Sequence, residues 1–252
     1  MEKLDSITAF FPAFNDGGTI ASMVLSALIT LPKVTDDFEV IVVNDGSKDY
    51  TREILEELGR LYPAVRVIDH GINRGYGSAL RTGFSAACKS WIFYTDGDAQ
   101  YDPRELVNLV SAVSPGTDVV NGYKIARSDP LHRIVIGRLY HHIVRILFGF
   151  KLRDVDCDFR LIRREVFEKV QLYSTSGTIC LEMVKKFQDA GFTFQEVGVH
   201  HFHRAYGKSQ FFNFKRLFRT AIQLSSLWWE LVVREKFFQS RITKNSSTPD
   251  PS

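Results

Sequence analysis

The first 120 residues alternate between two periodicities. Short apolar runs at Ile7–Phe11, Glu39–Val43, Val65–His70, Trp91–Thr95 and Asp118–Asn121 have the length of strands buried on both faces. Between them, Thr19–Leu31, Thr51–Leu61, Ser78–Cys88 and Pro103–Val113 repeat apolar residues at helical spacing. Strand and helix in alternation predict an α/β fold, a mostly parallel sheet with helices on both faces. Thr19, Asp49 or Thr51, and Asp102 are the expected N-caps, with Pro103 at a first helical position. After Gly122 the pattern changes. His132–Phe150 is helical, apolar and basic; Arg163–Val170 and Thr178–Ala190 read as helices and Phe194–His200 as a strand. Asn213–Phe238 reads as one long helix or two, and no internal repeat is evident.

Polar clusters follow the strands: PAFNDGG, NDGSKD, NRGYG and DGDAQYDP. Ligands of open parallel sheets bind beyond the carboxyl ends of the strands, so these loops are expected to share one edge and one site. Asp96 and Asp98 end an apolar run one residue apart, a costly pairing of like charges. Two carboxylates, with the Gln100 amide oxygen, suit a hard divalent cation such as Mg2+ or Mn2+. Alone, the pair reads equally as a strand-end turn capped by Asp98. Gly17 and Gly18 permit close backbone approach before the helix that starts near Thr19. Asn44 and Asp45 stand where a side chain can meet a base or ribose, although Asp-Gly by itself is a turn. NRGYGSALRTG adds a further flexible loop and Arg81. No GxGxxG follows the first strand and no GxxxxGK[ST] occurs, against a Rossmann dehydrogenase or a P-loop NTPase.

Charge sharpens the picture. Lys124–Arg153 and Lys208–Lys244 each carry +6, and a chain total of +3 leaves the remainder at −9. Basic surface late in the chain points to an anionic partner. Three scattered cysteines without a CxxC spacing fit a reducing compartment, not a disulfide framework or zinc site. The acidic, quickly polar start is not expected to be a signal peptide, and NSSTPDPS is expected to be disordered. The stretch FFNFKRLFRTAIQLSSLWWELVVREKFF has aromatic anchors and basic flanks. It is too short and too polar to span about 30 Å of hydrocarbon, and it fits an interfacial helix. A core or dimerisation helix is the alternative. His132–Phe150, with Arg133, Arg138 and Arg145 among apolar residues, is a candidate for the same surface.

Together the motifs resemble family 2 glycosyltransferases of the GT-A fold, and within them polyprenyl-phosphate sugar synthases of the dolichyl-phosphate mannose synthase type. The resemblance runs from about Ile7 to Gln210, with the motifs in family order. PAFND corresponds to the nucleotide-binding opening, which implies that role for Pro12, Ala13, Phe14 and Asp16, the last in place of the usual Glu. NDGSKD implies that Asn44 and Asp45 lie near base and ribose. DGDAQYDP corresponds to the metal-binding segment, with Asp96, Asp98 and Gln100 as implied ligands; Asp96 also faces the nucleotide. NGYK makes Lys124 a candidate for the diphosphate, with Arg127 as its alternative. DVDCDFRLIRREVF puts Asp158 near the acceptor, unless it merely pairs with Arg160 or Arg163. HRAYGKSQF implies an acceptor-phosphate clamp of Arg204, Lys208 and Ser209, with Gln210 in place of the usual Lys. His200, His201 and His203 cluster, but the resemblance favours Gln100 over a late histidine ligand.

What this resemblance implies is an inverting transferase with Asp98, Asp158 and Arg204 as catalytic residues. It moves a hexose, mannose or glucose, from a GDP- or UDP-sugar to a polyprenyl phosphate of dolichyl or undecaprenyl type. A phosphate acceptor is already ionised near neutral pH, so Asp158 orients it. The implied partners are nucleotide-sugar, lipid phosphate and the cytoplasmic face of a membrane, held peripherally, with no nucleic acid; a homodimer stays a candidate. The expected division is a catalytic domain over 1–210, an interfacial region over 211–240 and a tail over 241–252. A hydroxyl acceptor, with Asp158 as true general base, is the enzymatic alternative. A non-catalytic nucleotide-sugar-binding module is the other, disfavoured by the intact carboxylate pair.

Overall fold

A computed structural model of the chain describes residues 2–127, 142–204 and 214–234. The expected strands form β1 (Ile7–Ala13), β2 (Phe38–Asn44), β3 (Val65–Asp69), β4 (Trp91–Thr95), β5 (Val119–Arg127) and β7 (Phe194–His201). The expected helices form α1 (Ile20–Val34), α2 (Thr51–Leu61), α3 (Tyr76–Ala86) and α7 (Ile179–Asp189). Pro103–Glu105 is a 3-10 turn leading into the shorter α4 (Leu106–Ser111). Residues 142–148 are helical and labelled α5. The seven strands make one sheet in the order β3-β2-β1-β4-β6-β5-β7.

One element departs from expectation. Phe159–Arg163 is a strand, β6, antiparallel to both β4 and β5, and the expected helix shrinks to α6 (Val166–Lys169). A period of two explains the strand. Phe159 and Leu161 join the core on one face, while Ile162 joins the core on the other. Arg160 faces the second side and is buried because its guanidinium finds polar partners.

The two sheet faces bury separate cores. Phe11, Trp91 and Phe93 pack under α1, α2 and α4 with Ile20, Leu55 and Leu106. Phe10, Ile41 and Tyr94 pack under α3 and α7 with Leu80, Met183 and Phe187. Each such large side chain removed from water contributes about 1.5–3 kcal/mol. A smaller third cluster joins α5 to α7 and to α8 (Phe214–Trp228), with Val144, Phe148, Leu181 and Leu227 among its members. Beyond Trp228 the helix widens to a π-turn over Trp229–Arg234, so the central part of the expected Asn213–Phe238 helix is present. No helix among the described residues is long and apolar enough to cross a membrane.

The caps differ in detail from expectation. Asp102 caps as expected, accepting from the Arg104 N–H. Thr19 is the N-cap residue of α1, as expected, but its side chain makes no capping bond. Its hydroxyl donates instead to the carbonyls of Asp16 and Gly97, joining the loops after β1 and β4. Tyr50 is the N-cap residue of α2, and Asp49 bonds both the N–H and the hydroxyl of Thr51.

Helix α3 lies so close to β1 that a Cβ on Gly83 would sit 2.2 Å from the Phe10 ring. Gly83→Ala is therefore expected to destabilise the protein by about 1–3 kcal/mol through overpacking. A fall in the chemical denaturation midpoint without a change in slope checks this.

Candidate active site

The loops after β1 and β2 are stitched by short polar side chains. Asn15 adopts a positive φ of 57°. Its N–H donates to Ser47 Oγ at 2.9 Å and its Oδ1 accepts from the Lys48 N–H at 2.8 Å. Gly17 N–H donates to Asp49 Oδ2 at 3.2 Å. Pro12 and Ala13 are buried at the end of β1, while Phe14 is partly exposed. Asp16 is buried and accepts the Phe14 N–H at 2.9 Å. Burial pushes its carboxyl up to about 6, with repulsion from Asp98 adding to the rise; the Phe14 N–H and Arg204 oppose it.

Asn44 and Asp45 are both buried and hold neighbouring backbone. Asn44 Oδ1 accepts from the Ser47 N–H at 3.1 Å and its amide donates to Asp69 at 3.4 Å. Asp45 accepts from the N–H groups of Arg74 and Gly75 at 2.8 and 2.9 Å. It also bonds His70 Nδ1 at 2.7 Å, and His70 Nε2 lies 2.9 Å from the Thr82 hydroxyl. The segment from His70 to Gly75 is thereby fixed against the end of β2.

Asp96 leaves the end of β4 half-buried, and the Tyr76 hydroxyl donates to its Oδ1 at 2.7 Å. Burial first, then repulsion from Asp158 and Asp98, holds this carboxyl well above the usual range. Asp98 Oδ1 accepts the Gln100 N–H at 3.0 Å, and its Oδ2 takes a fork from Arg204 at 3.2 and 2.9 Å. Gln100 turns its amide nitrogen to the end of β7, 3.3 Å from the Phe202 carbonyl and 3.2 Å from His201 Nε2.

Asp158 stands just before β6, beside this pair. Its Oδ1 accepts from the Tyr94 hydroxyl at 3.1 Å and the Cys180 thiol at 3.0 Å, with Arg160 Nη1 at 3.6 Å. Arg160 also donates to the Tyr94 hydroxyl, to Asn121 Oδ1 at 2.5 Å and to the Val155 carbonyl at 2.6 Å. The Asp158–Arg160 ion pair weighed from the sequence is thus present. Lys124 Nζ donates to the Asp156 carbonyl at 3.0 Å, with Asp154 Oδ2 at 3.8 Å. Burial lifts the Asp156 carboxyl to about 6, with Lys124 opposing.

Asp16, Asp96, Asp98, Asp158 and Arg204 therefore meet at one sheet edge. Lys208, Ser209 and the side chain of Arg127 lie outside the described residues. Among the described residues no group of three His, Cys, Asp or Glu is arranged to hold a metal ion. His200 lies instead with its Nδ1 3.1 Å from Glu105. The carboxylate chemistry still fits a hard cation. Mg2+ is commonly held by one or two carboxylates plus substrate phosphates, and burial, then the neighbouring negative charges, already raise Asp96. The sequence reading overlooked Tyr76 and Tyr94. Tyr94 lies within an apolar strand and reads as core, whereas the glycines flanking Tyr76 were visible as a pattern.

The raised Asp16 gives a stability test. Its folded value near 6 exceeds the carboxylate value of the unfolded chain, about 3.9. The folded state binds the extra proton between the two, so this group's contribution to stability falls as pH rises from about 4 to 6. Asp16→Asn is expected to raise the melting temperature at pH 7.5, by no more than about 3 kcal/mol in free energy. The gain should vanish near pH 4 in thermal melts followed by circular dichroism.

Residues 8–171 match the model described as Glycosyl transferase family 2. The chain is similar to undecaprenyl-phosphate 4-deoxy-4-formamido-L-arabinose transferases, 27% identical over 212 residues to that of Yersinia enterocolitica and 26% over 212 to that of Photorhabdus laumondii. Each alignment covers 83% of this chain and 64% of the relative, so the chain spans less than two thirds of their length. Its fold is similar to glucosyl-3-phosphoglycerate synthase from Mycobacterium tuberculosis, solved in complex with Mn2+, uridine diphosphate and glucosyl-3-phosphoglycerate. The TM-score is 0.69 at 19% identity, over 90% of this chain and 79% of the other. The seven-stranded sheet with its one reversed inner strand is that of the GT-A fold. With about two thirds of its length matched by the family model, the chain belongs to glycosyl transferase family 2.

Proposed function

We propose that the chain transfers a sugar from a nucleoside-diphosphate donor to a polyprenyl phosphate, with inversion at the anomeric carbon. The observation that carries this reading is the fork of Arg204 on Asp98, at 3.2 and 2.9 Å. A guanidinium, suited to bidentate phosphate contact, on the carboxylate proposed to serve the donor supports this reading. The names of the similar transferases, which specify undecaprenyl phosphate, support a lipid phosphate acceptor.

Asp96 and Asp98, with Gln100, are the residues that would hold Mg2+ or Mn2+, and a structural neighbour solved with Mn2+ and uridine diphosphate supports this. Such a cation, when bound, offsets charge on the departing diphosphate. Asp16 and the backbone of Pro12–Phe14 line the nucleotide side, where Asn44 and Asp45 hold the loops in place. Lys124, which donates to the Asp156 carbonyl in this structure, is the basic residue proposed to assist at the diphosphate. Asp158, held by Tyr94, Cys180 and Arg160, orients the acceptor. An ionised phosphate needs no strong general base, since its second pKa lies near 6. Arg204 exchanges Asp98 for the acceptor phosphate, and Lys208 and Ser209 follow it in sequence as further clamp candidates.

The proposed location is peripheral, on the cytoplasmic face of a membrane. Ile143, Ile146 and Leu147 of α5 and Ile222 and Trp229 of the C-terminal helix are exposed, next to exposed Arg145. Apolar anchors with basic neighbours suit an anionic lipid surface. Leu227 and Leu231 are buried, so the same helix also packs on the catalytic domain. Flotation of the intact protein with anionic vesicles tests this location, and failure to float would return the exposed strip to a second copy of the chain.

Radiolabelled transfer from a panel of UDP- and GDP-sugars, mannose and glucose first, to a membrane lipid extract tests the function. Label confined to water-soluble product refutes the lipid acceptor. Asp98→Asn is expected to lower kcat/KM by at least about a hundredfold, as loss of several kcal/mol of charge stabilisation requires. Arg204→Ala is expected to raise KM for the lipid phosphate about tenfold or more, the value of a charge-assisted hydrogen bond, while KM for the nucleotide-sugar changes little. Equal changes in both constants would confine Arg204 to neutralising Asp98.

A further inference from the structure

Tyr76, which holds Asp96, is the first residue of α3, and the placement of that helix start has a specific cause. The segment 173–175 crosses directly over it. Gly77 N–H donates to the Thr175 carbonyl at 3.0 Å, and Arg81 donates to the Tyr173 carbonyl at 3.2 Å. The approach leaves no room for side chains on either side of Tyr76. A Cβ on Gly75 would sit 2.5 Å from the Thr175 carbonyl oxygen, and one on Gly77 would sit 2.4 Å from that of Ser174. This accounts for the glycine–tyrosine–glycine pattern of NRGYG.

The crossing segment is itself anchored by one buried acid. Glu182, in the first turn of α7, is only 2% exposed. Its Oε1 accepts the Tyr173 N–H at 2.9 Å and its Oε2 accepts the Ser174 N–H at 2.8 Å. Lys186, one turn on, supplies the countercharge at 2.6 Å and also bonds the Gln171 carbonyl at 2.7 Å. Burial works against the charged carboxylate, but the bonds from Lys186 and Ser174 outweigh it and hold its pKa below the usual value. A buried ion caged on two backbone N–H groups is a rigid point, because withdrawing it would leave charge and donors unpaired.

We infer that Glu182 is a positioning residue for the donor site. It pins 173–175, that segment sets the start of α3, and the Tyr76 hydroxyl thereby orients Asp96. The chain of contacts runs from α7 across the molecule to the end of β4. Hydrogen bonds to a metal-ligating carboxylate tune its geometry, and their loss typically lowers metal affinity 10–100-fold. The inference rests on the reading of Asp96 as a cation ligand.

The experiment measures binding of Mn2+ alone, from the paramagnetic resonance signal of the free ion, in wild-type protein, Tyr76→Phe, Glu182→Gln and the double variant. Tyr76→Phe should weaken binding about tenfold. Glu182→Gln should weaken it in the wild-type background but by less than about twofold in the Tyr76→Phe background, because both act through one contact. Amide exchange at Ser174 and Gly77 should accelerate in Glu182→Gln and stay unchanged in Tyr76→Phe. If Glu182→Gln does not fold, Glu182→Asp keeps the charge, withdraws it by one methylene and serves the same cycle. Additive losses in the two backgrounds, or an unchanged Mn2+ affinity in Glu182→Gln, would overturn the inference. Absence of Mn2+ binding by the wild-type protein would instead overturn the metal reading, and unaltered exchange in Glu182→Gln would overturn the anchoring on its own.

Discussion

Mutual repulsion among carboxylates at one sheet edge is the constraint around which the site is arranged. Burial raises the pKa of Asp96 first, and the charges of Asp158, Asp98 and Asp16 add to the rise. Coulomb energies grow as the surroundings lose water, so such a cluster is stable only with compensation close by. The protein supplies it piecemeal. Arg204 lies on Asp98, Arg160 near Asp158, and the Tyr76 and Tyr94 hydroxyls bond the inner pair. A donor diphosphate would add further negative charge, which is why a cation and mobile basic side chains suit this edge.

Rigidity around the cluster comes from buried polar side chains that bond backbone. Asp45 fixes Arg74 and Gly75 at one end of the NRGYG loop, and the segment anchored by Glu182 fixes Gly77 at the other. Tyr76 is held between them. Loops secured in this way keep a shape that backbone propensity alone would not give them, since each bond satisfies donors that otherwise require water. Arg160 does the same for the sheet. It ties β6 to Asn121 of β5 and to the carbonyl of Val155.

Much of this was legible in the residues. Apolar runs of strand length marked β1, β2 and β4 because a strand buried on both faces needs no partner to declare itself, and the mainly apolar run of β3 marked it although it is a partly exposed edge strand. The loops after them were recognisable by Asn, Asp and Gly, and their common edge followed from parallel order. The carboxylates of DGDAQYDP and the arginine of HRAYG were found as separate candidates. Thr19 is the N-cap residue of α1, yet its hydroxyl serves the neighbouring loop, and the cap of α2 falls on Tyr50, between the expected Asp49 and Thr51, because composition does not distinguish a capping side chain from one that ties a loop.

The direction of β6 was decided only by tertiary structure. FRLIR has two charged residues among three apolar ones and continues into REVF, so its local pattern suits a helix as well as a strand. Pairing Thr95 with Phe159 in antiparallel register turns the start of β6 toward the end of β4 and sets Asp158 beside Asp96. Residues 62 positions apart thereby become neighbours in one charge cluster. The sequence by itself determined the alternation of strands and helices, the loop chemistry and the identity of the acids. Their juxtaposition with Tyr76, Arg160, Arg204 and the Glu182 anchor arose from strand order, strand direction and the crossing of segments distant in the chain. Periodicity is a local property of a sequence, whereas electrostatic coupling depends on distances that only the folded chain sets.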